Sequence, residues 1–238
     1  MTKYLYKYHK WIGAICGLQL FFWTFSGVYF AWFHIDNVKG KYERAKQDTS
    51  ISGKNYASLD SLISISKLNP ITSISIKSMN KIDFYVLKGT GSSERYNAIT
   101  GETAFPLDTI EIKQLARNDF SGDGNIISVE YMKKSEYKEF HYSKPAYRVS
   151  FDNYKLTNLY FDANTGELQA RRNEIWRWYD FMWMMHIMDY DEREDFNNWL
   201  MKGFSILGLL TSISGMWLFV VITTRKYKVK QKRMSKDL

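Results

Sequence analysis

The chain has 238 residues, 45% of them hydrophobic and 17% aromatic, with 33 Lys and Arg against 25 Asp and Glu. Its net charge of +8 suggests a polyanion partner until the placement of the charge is read. Three bases lie in residues 1–10, one at Lys202 and seven after Thr224, so residues 36–196 keep 22 bases against 24 acids. That balance excludes nucleic acid as the expected partner, and the basic excess reads as membrane topology and contact with anionic lipid.

Residues 1–10 form an expected cytoplasmic tail whose Tyr and Lys suit an inner interface (KYLYKYHK). No charge occurs from Trp11 to Ile35, nor from Gly203 to Thr224. Each stretch is long enough for a membrane helix, which needs roughly 20 apolar residues. The first, residues 11–35, reads as an uncleaved anchor: its apolar run is long and aromatic, with no small-residue cleavage site after it. The second lies within residues 197–224, followed by a basic tail over 225–238. Flanking Lys and Arg stay on the cytoplasmic side, so both ends face in and the domain between the spans faces the periplasm. Gly13 and Gly17, with Gly208 and Ser212, space small residues four apart, as close helix packing favours. The spans also share a Ser-Gly step, Ser26-Gly27 and Ser214-Gly215. These features are expected to mark packing within the hairpin, or against a homodimer partner or another membrane subunit. Cys16 is the single cysteine and lies in the first span, so no intrachain disulfide supports the exported domain.

Between the spans one pattern occurs twice. Residues 39–56 read as a polar linker. Ser58 to Leu68 has apolar residues at helical spacing, stopping before Pro70. Alternating runs follow at Ile71–Ile76, Phe84–Leu87 and Glu94–Ile99, ending in Thr100-Gly101-Glu102. The second copy has a short helix at Thr109–Ala116, then runs at Ile126–Met132, Tyr147–Phe151 and Leu156–Phe161, ending in Thr165-Gly166-Glu167. The expected fold is therefore an α+β domain on a two-helix transmembrane hairpin. It is a duplicated helix-plus-antiparallel-meander, with repeats over 36–107 (including the linker) and 108–172. Residues 173–196 follow as an interfacial helix rich in Trp and Met, with an acidic turn, Asp189 to Asp195, before the second span.

Two constellations of possible ligands stand out. His34 closes the first span and His186 sits in the interfacial helix on the same side, so the two can meet at one membrane depth as axial ligands of haem b. Arg171, Arg172 and Arg177 suit its propionates. His9 is about 37 Å of helix away from His34 and belongs to the other face. An amphipathic His anchor and a Met-Trp packing stripe are the alternative, and composition leaves both open. Asp119 to Glu130 fits a twelve-residue calcium loop, with Gly124 at the sixth place. The residues after Asn125 read as a strand rather than the exiting helix such a loop requires, so a tight turn explains the glycines as well. No hydrolytic motif and no phosphate-binding loop is present.

The strand-turn pattern, Tyr85-Val86-Leu87 leading to Tyr96…Thr100-Gly101-Glu102 and Tyr147-Arg148-Val149 leading to Tyr160…Thr165-Gly166-Glu167, resembles the PepSY domain. Two such domains between membrane helices resemble the PepSY-associated transmembrane protein family. The opening His9-Lys10-Trp11-Ile12-Gly13 and the stretch from Met185-His186 to Ser214-Gly215 resemble its two membrane motifs. Larger members carry further membrane helices. The resemblance implies a haem-containing subunit of the bacterial inner membrane, engaged in electron transfer or ferric-siderophore reduction for iron uptake. His9 and His186 are the positions carried over. Isolated PepSY domains imply the alternative, a non-enzymatic protein- or peptide-binding subunit of an envelope complex.

Overall fold

A computed structural model describes residues 2–46, 51, 55–104 and 106–234. In chain order the helices are α1 (Thr2–Trp32), α2 (Ile35–Val38), α3 (Leu59–Ile65), α4 (Thr109–Asp119), α5 (Glu174–Ile187) and α6 (Trp199–Met234). The strands are β1 (Ile71–Met79), β2 (Ile82–Gly89), β3 (Ser93–Asn97), β4 (Thr103–Ala104), β5 (Ile126–Met132), β6 (Ser135–Tyr137), β7 (Phe140–Tyr142), β8 (Ala146–Phe151), β9 (Asn158–Asp162) and β10 (Leu168–Arg172). Two units result: His34–Trp178, and a helical unit made of Met1–Phe33 with Tyr179–Leu238.

In the helical unit α1 packs against α6. Thr211 lies 3.9 Å from where a Cβ on Gly13 would stand and 3.4 Å from Cys16 Sγ, while His9 pairs with Ser214. Partners thus rise along one helix as they fall along the other, which makes the pair antiparallel. Gly13 fills the packing role expected of it. Gly17 and Gly208 have nothing within 4 Å of a built Cβ, so that half of the small-residue pattern faces away from the helix pair. Tyr6–Trp32 and Trp199–Val229, 27 and 31 residues, are long and apolar enough to cross a membrane. Leu18, Phe21, Phe25, Leu209, Trp217 and Phe219 are exposed on them. A helix apolar on all sides is not shaped for water.

Asn198 joins the end of α5 to the start of α6. Its amide nitrogen donates to the Ile187 and Asp195 carbonyls at 2.8 Å, and its oxygen caps α6 by accepting from the Met201 N–H. The expected acidic turn is folded on Asp189, whose carboxylate accepts from the N–H groups of Asp191, Glu194 and Asp195.

The central unit is α+β, with antiparallel sheets ordered β1-β2-β3-β4 and β10-β9-β8-β5 and a β6-β7 hairpin inserted between β5 and β8. Each four-stranded sheet follows one helix, and the two are built on the same bonds. In the first, the Ala57 N–H donates to the Ala98 carbonyl and the Tyr85 hydroxyl donates to the Ala57 carbonyl. In the second, the Leu107 N–H donates to the Ala163 carbonyl and the Tyr147 hydroxyl donates to the Leu107 carbonyl. The Thr-Gly-Glu turns correspond bond for bond. Asn97 Oδ1 accepts from the N–H groups of Ile99 and Thr100, as Asp162 Oδ1 does from those of Asn164 and Thr165. Gly101 and Gly166 stand at φ +73° and +69°, where a side chain is unfavourable.

The principal core joins both sheets through α4: Phe84 and Val86 meet Ile112, Leu115, Val149 and Leu159, all buried. Asp108 starts α4 with a capping box closed by Glu111. The expected strands are present. The β6-β7 hairpin, β4 and β10 were not expected: β4 has two residues, and β10 carries two arginines where an apolar alternation would be sought.

The linker expectation fails over 41–46, while residues 47–50 and 52–54 lie outside the described residues. Glu43 is buried, bonded to Lys155 at 2.7 Å and to Thr157, and the Ala45 N–H donates to the Asp119 carbonyl. Arg171 forms a buried ion pair with Asp119 and also donates to the Glu43 carbonyl. This pairing removes Asp119 from the calcium-loop expectation, as Arg148 does for Glu130 in β5. Asn125 leads into a strand, not an exiting helix. Gly40, at φ +62°, lets the chain pass over Arg171: a Cβ there would lie 2.4 Å from Arg171 Cδ. Because Arg171 is pinned by its ion pair, it cannot swing aside.

Gly40→Ala should therefore destabilise the central unit by about 1–3 kcal/mol, as expected for a strained left-handed residue; urea unfolding followed by far-UV circular dichroism measures it. A second expectation concerns Glu139. Burial pushes its carboxyl up, but bonds from Arg177, Tyr160 and Asn158 outweigh that and leave it below its usual value. A depressed folded-state value contributes stability that is complete above the unfolded value, near ~4.3, and is lost as pH falls through the folded one. Acid titration of Glu139→Gln should be flatter than that of the parent below that pH.

Candidate functional site

The helical unit holds two of the four histidines, His9 in α1 and His186 in α5, and each meets a serine of a neighbouring helix. His186 Nδ1 lies 2.8 Å from Ser26 Oγ in α1, and His9 Nδ1 lies 2.8 Å from Ser214 Oγ in α6. Ser26 donates its only hydroxyl proton back to its own helix, to the Phe22 carbonyl at 2.7 Å with Trp23 at 3.1 Å. Ser214 does the same to the Thr211 carbonyl at 2.9 Å. Such back-bonding satisfies a hydroxyl in an apolar helix. Each serine oxygen thus stands within reach of both its own helix carbonyl and an imidazole Nδ1, an arrangement in which an Nδ1–H can donate to the hydroxyl. In the tautomer with Nδ1–H donating to serine, Nε2 is the nitrogen left to ligate.

The glycine after each serine follows the same logic at one end. His9 lies against Gly215, its Cε1 3.4 Å and Nε2 3.7 Å from where a Cβ would stand. Gly27 has no such neighbour. At the other end the imidazole is framed by aromatics: Phe30 meets it edge-on at 5.5 Å between centroids, and Trp23 Nε1 donates to the His186 carbonyl at 2.7 Å. Tyr179 stands 4.8 Å from Phe30 and Trp183 stacks on Tyr179 at 6.5 Å. Arg193 pairs with Asp180, and Trp183 donates to the Arg193 carbonyl, which holds the acidic turn to α5.

Ser26, fully buried, marks the level of His186 on α1. From His9 to Ser26 is about 26 Å of helix. The unit thus presents two imidazoles, each beside a serine, at separate heights.

The remaining expected residues are arranged differently. His34 lies beyond the end of α1 and caps α2: its Nδ1 accepts the Asp36 N–H at 3.2 Å. That bond requires an unprotonated Nδ1, so a neutral His34 carries its proton on Nε2. Its side chain is 66% exposed and lies 3.9 Å from the Asp36 carboxylate. Arg177 is engaged by Glu139 at 2.7 Å, by Glu174 at 2.8 Å and by the Leu156 carbonyl. Arg171 is held by Asp119, and Arg172 donates to the Glu139 carbonyl over the face of Trp176. The residues that sequence reading missed are Ser26 and Ser214 as imidazole partners; the repeated Ser-Gly step was their signal. Among the described residues no cluster of three or more His, Cys, Asp or Glu side chains forms a metal site. No protein-family model, curated protein or solved structure matches the chain.

¹⁵N-histidine spectra of the neutral imidazoles should show His9 and His186 protonated at Nδ1 and His34 at Nε2. Ser26→Ala should release His186 from this state and cost about 1–3 kcal/mol, because it leaves a polar N–H without its acceptor. An unchanged His186 pattern in that variant would remove the serine from the role.

Proposed function

We propose that the chain is a bacterial inner-membrane protein of PepSY type whose helical unit binds haem b and passes electrons, as a subunit serving ferric-siderophore reduction. The observation that carries this reading is the pair of serine-fixed imidazoles. An axial haem ligand needs an Nε2 lone pair and a held Nδ1–H, and an outer-shell acceptor of that kind orients the ring and raises its basicity. His9 and His186 each have a serine hydroxyl at 2.8 Å from Nδ1 to serve as that acceptor.

Other features support the setting. Two helices long and apolar enough to cross a membrane bracket the central unit, and their exposed apolar surface suits lipid. The basic C-terminal tail and Lys3, Lys7 and Lys10 favour cytoplasmic ends and a periplasmic central unit. The matching bonds of the two four-stranded sheets favour a duplicated PepSY-like domain.

Haem, when bound, supplies one-electron chemistry; this chain's part is to hold and orient it. His9 and His186 act through Nε2, Ser214 and Ser26 through Nδ1–H. Within the helical unit His9 and His186 stand at separate levels, and His34, the sequence-based candidate partner of His186, follows the end of α1. His34, or a histidine of another copy or membrane subunit, would complete the His186 level, and another copy or subunit the His9 level. Propionate binding by Arg177 would compete with its bonds to Glu139 and Glu174, so the reading does not depend on it.

Protein purified in detergent from haem-supplied cells should show a Soret band that sharpens on dithionite reduction, with α and β bands. His186→Ala should lose the signal from that level, and Ser26→Ala should weaken haem retention by about 10–100-fold. A spectrum without a haem band, or one identical in both variants, overturns the assignment.

A further inference from the structure

The central unit is slightly acidic as a whole, yet its charges are segregated. A groove of about 770 Å³ runs between Ile76–Lys81, at the end of β1, and Gly166–Gln169, at the start of β10. A second hollow of about 570 Å³ on the outer face of α4 shares Asn80, Lys81 and Asn118 with it. Along this continuous surface stand Arg44, Lys46, Lys77, Lys81, Lys113 and Arg117. Only two acids line it, and both are bridged: Asp119 by Arg171 and Arg44, Glu167 by Lys77 and Lys88. Lys46, Lys81 and Lys113 are exposed and make no ion pair among the described residues. Cations placed together without counterions favour an anionic partner.

The backbone adds a second requirement. Both strands beside the groove are sheet edges, β1 of one sheet and β10 of the other. Consecutive residues line the groove on each side, whereas a sheet face would offer alternate ones. Apart from its ladder with β2, no backbone hydrogen bond of Ser73–Met79 occurs among the described residues. Edges in that state accept an added strand.

We propose that this groove binds an acidic peptide segment in extended form, its main chain pairing with β1 and its carboxylates meeting Lys81, Lys113 and Lys46. The inference stands on the central unit alone and is independent of haem. β1 supplies affinity through main-chain bonds, and the lysines supply preference for charge. Glu167, already bridged, holds the two sides of the groove together and is not displaced.

The test is fluorescence anisotropy of the full chain in neutral detergent with a dye-labelled nonapeptide alternating Glu and Val. Its Lys-Val counterpart, and a Glu-Val peptide methylated at alternate backbone nitrogens, are the comparisons. The Glu-Val peptide should bind, with the other two at least about tenfold weaker. Lys81→Glu with Lys113→Glu should weaken it by a similar factor, with an unchanged circular dichroism spectrum. Both lysines are exposed, so the fold does not depend on them. Equal binding of the Lys-Val peptide, or no effect of charge reversal, overturns the anionic preference. An undiminished methylated peptide, or displacement by citrate at matched carboxylate concentration, overturns strand addition.

Discussion

The central unit depends on a buried ion pair. Asp119 ends α4 and Arg171 lies in β10, and their side chains are 2% and 5% exposed. Removing either charge would leave the other buried with its principal counterion gone, at a cost of about 3–5 kcal/mol. Much of the local architecture follows from avoiding that state. Arg44 reaches the carboxylate from the surface, the Glu43 carbonyl takes the second guanidinium nitrogen, and Gly40 lets the chain pass close over Arg171. The segment entering the unit is thereby fixed to its last strand.

The helical unit obeys the same rule with neutral groups. An imidazole N–H and a serine hydroxyl are costly in apolar surroundings unless each bond is closed. Ser26 and Ser214 close them in sequence, hydroxyl to helix carbonyl and imidazole to hydroxyl. The outcome is chemical as well as structural, since the nitrogen left over on each ring is the one able to ligate.

Much of the central fold was legible because alternation and turn chemistry act locally. Ile126–Met132 was found to the residue, and Thr100-Gly101-Glu102 and Thr165-Gly166-Glu167 form the tight turns their glycines announced. What could not be read depends on contacts distant in sequence. Residues 41–46 look like a polar linker because Glu43 and Arg44 are charged, and only the fold shows that Lys155 and Asp119 neutralise them. β10 was hidden for the same reason, its Arg171 being an inward residue paired across the core. For the candidate site, His9 and His186 were visible as residue types at helix ends. Their partners were not, because the serines that meet them lie 205 and 160 positions away. Charge counting also missed the basic groove: a sum over residues 36–196 averages away what folding separates.

Asn198 has a wider effect than its cap suggests. By tying the α5 carboxyl end to the first turn of α6, it makes the connection between them a rigid joint. His186 hangs from one side of that joint, and the lever to Ser214 runs down the other. The two helices then behave as matched rulers graduated in turns, with His9 to Ser26 on one and Asn198 to Ser214 on the other. Adding one residue to α6 between those marks would rotate Ser214 by about 100° and point its hydroxyl away from His9, while His186 stayed in place. Both imidazole–serine contacts therefore survive a change of helix length only if the two helices lengthen together, in steps close to whole turns.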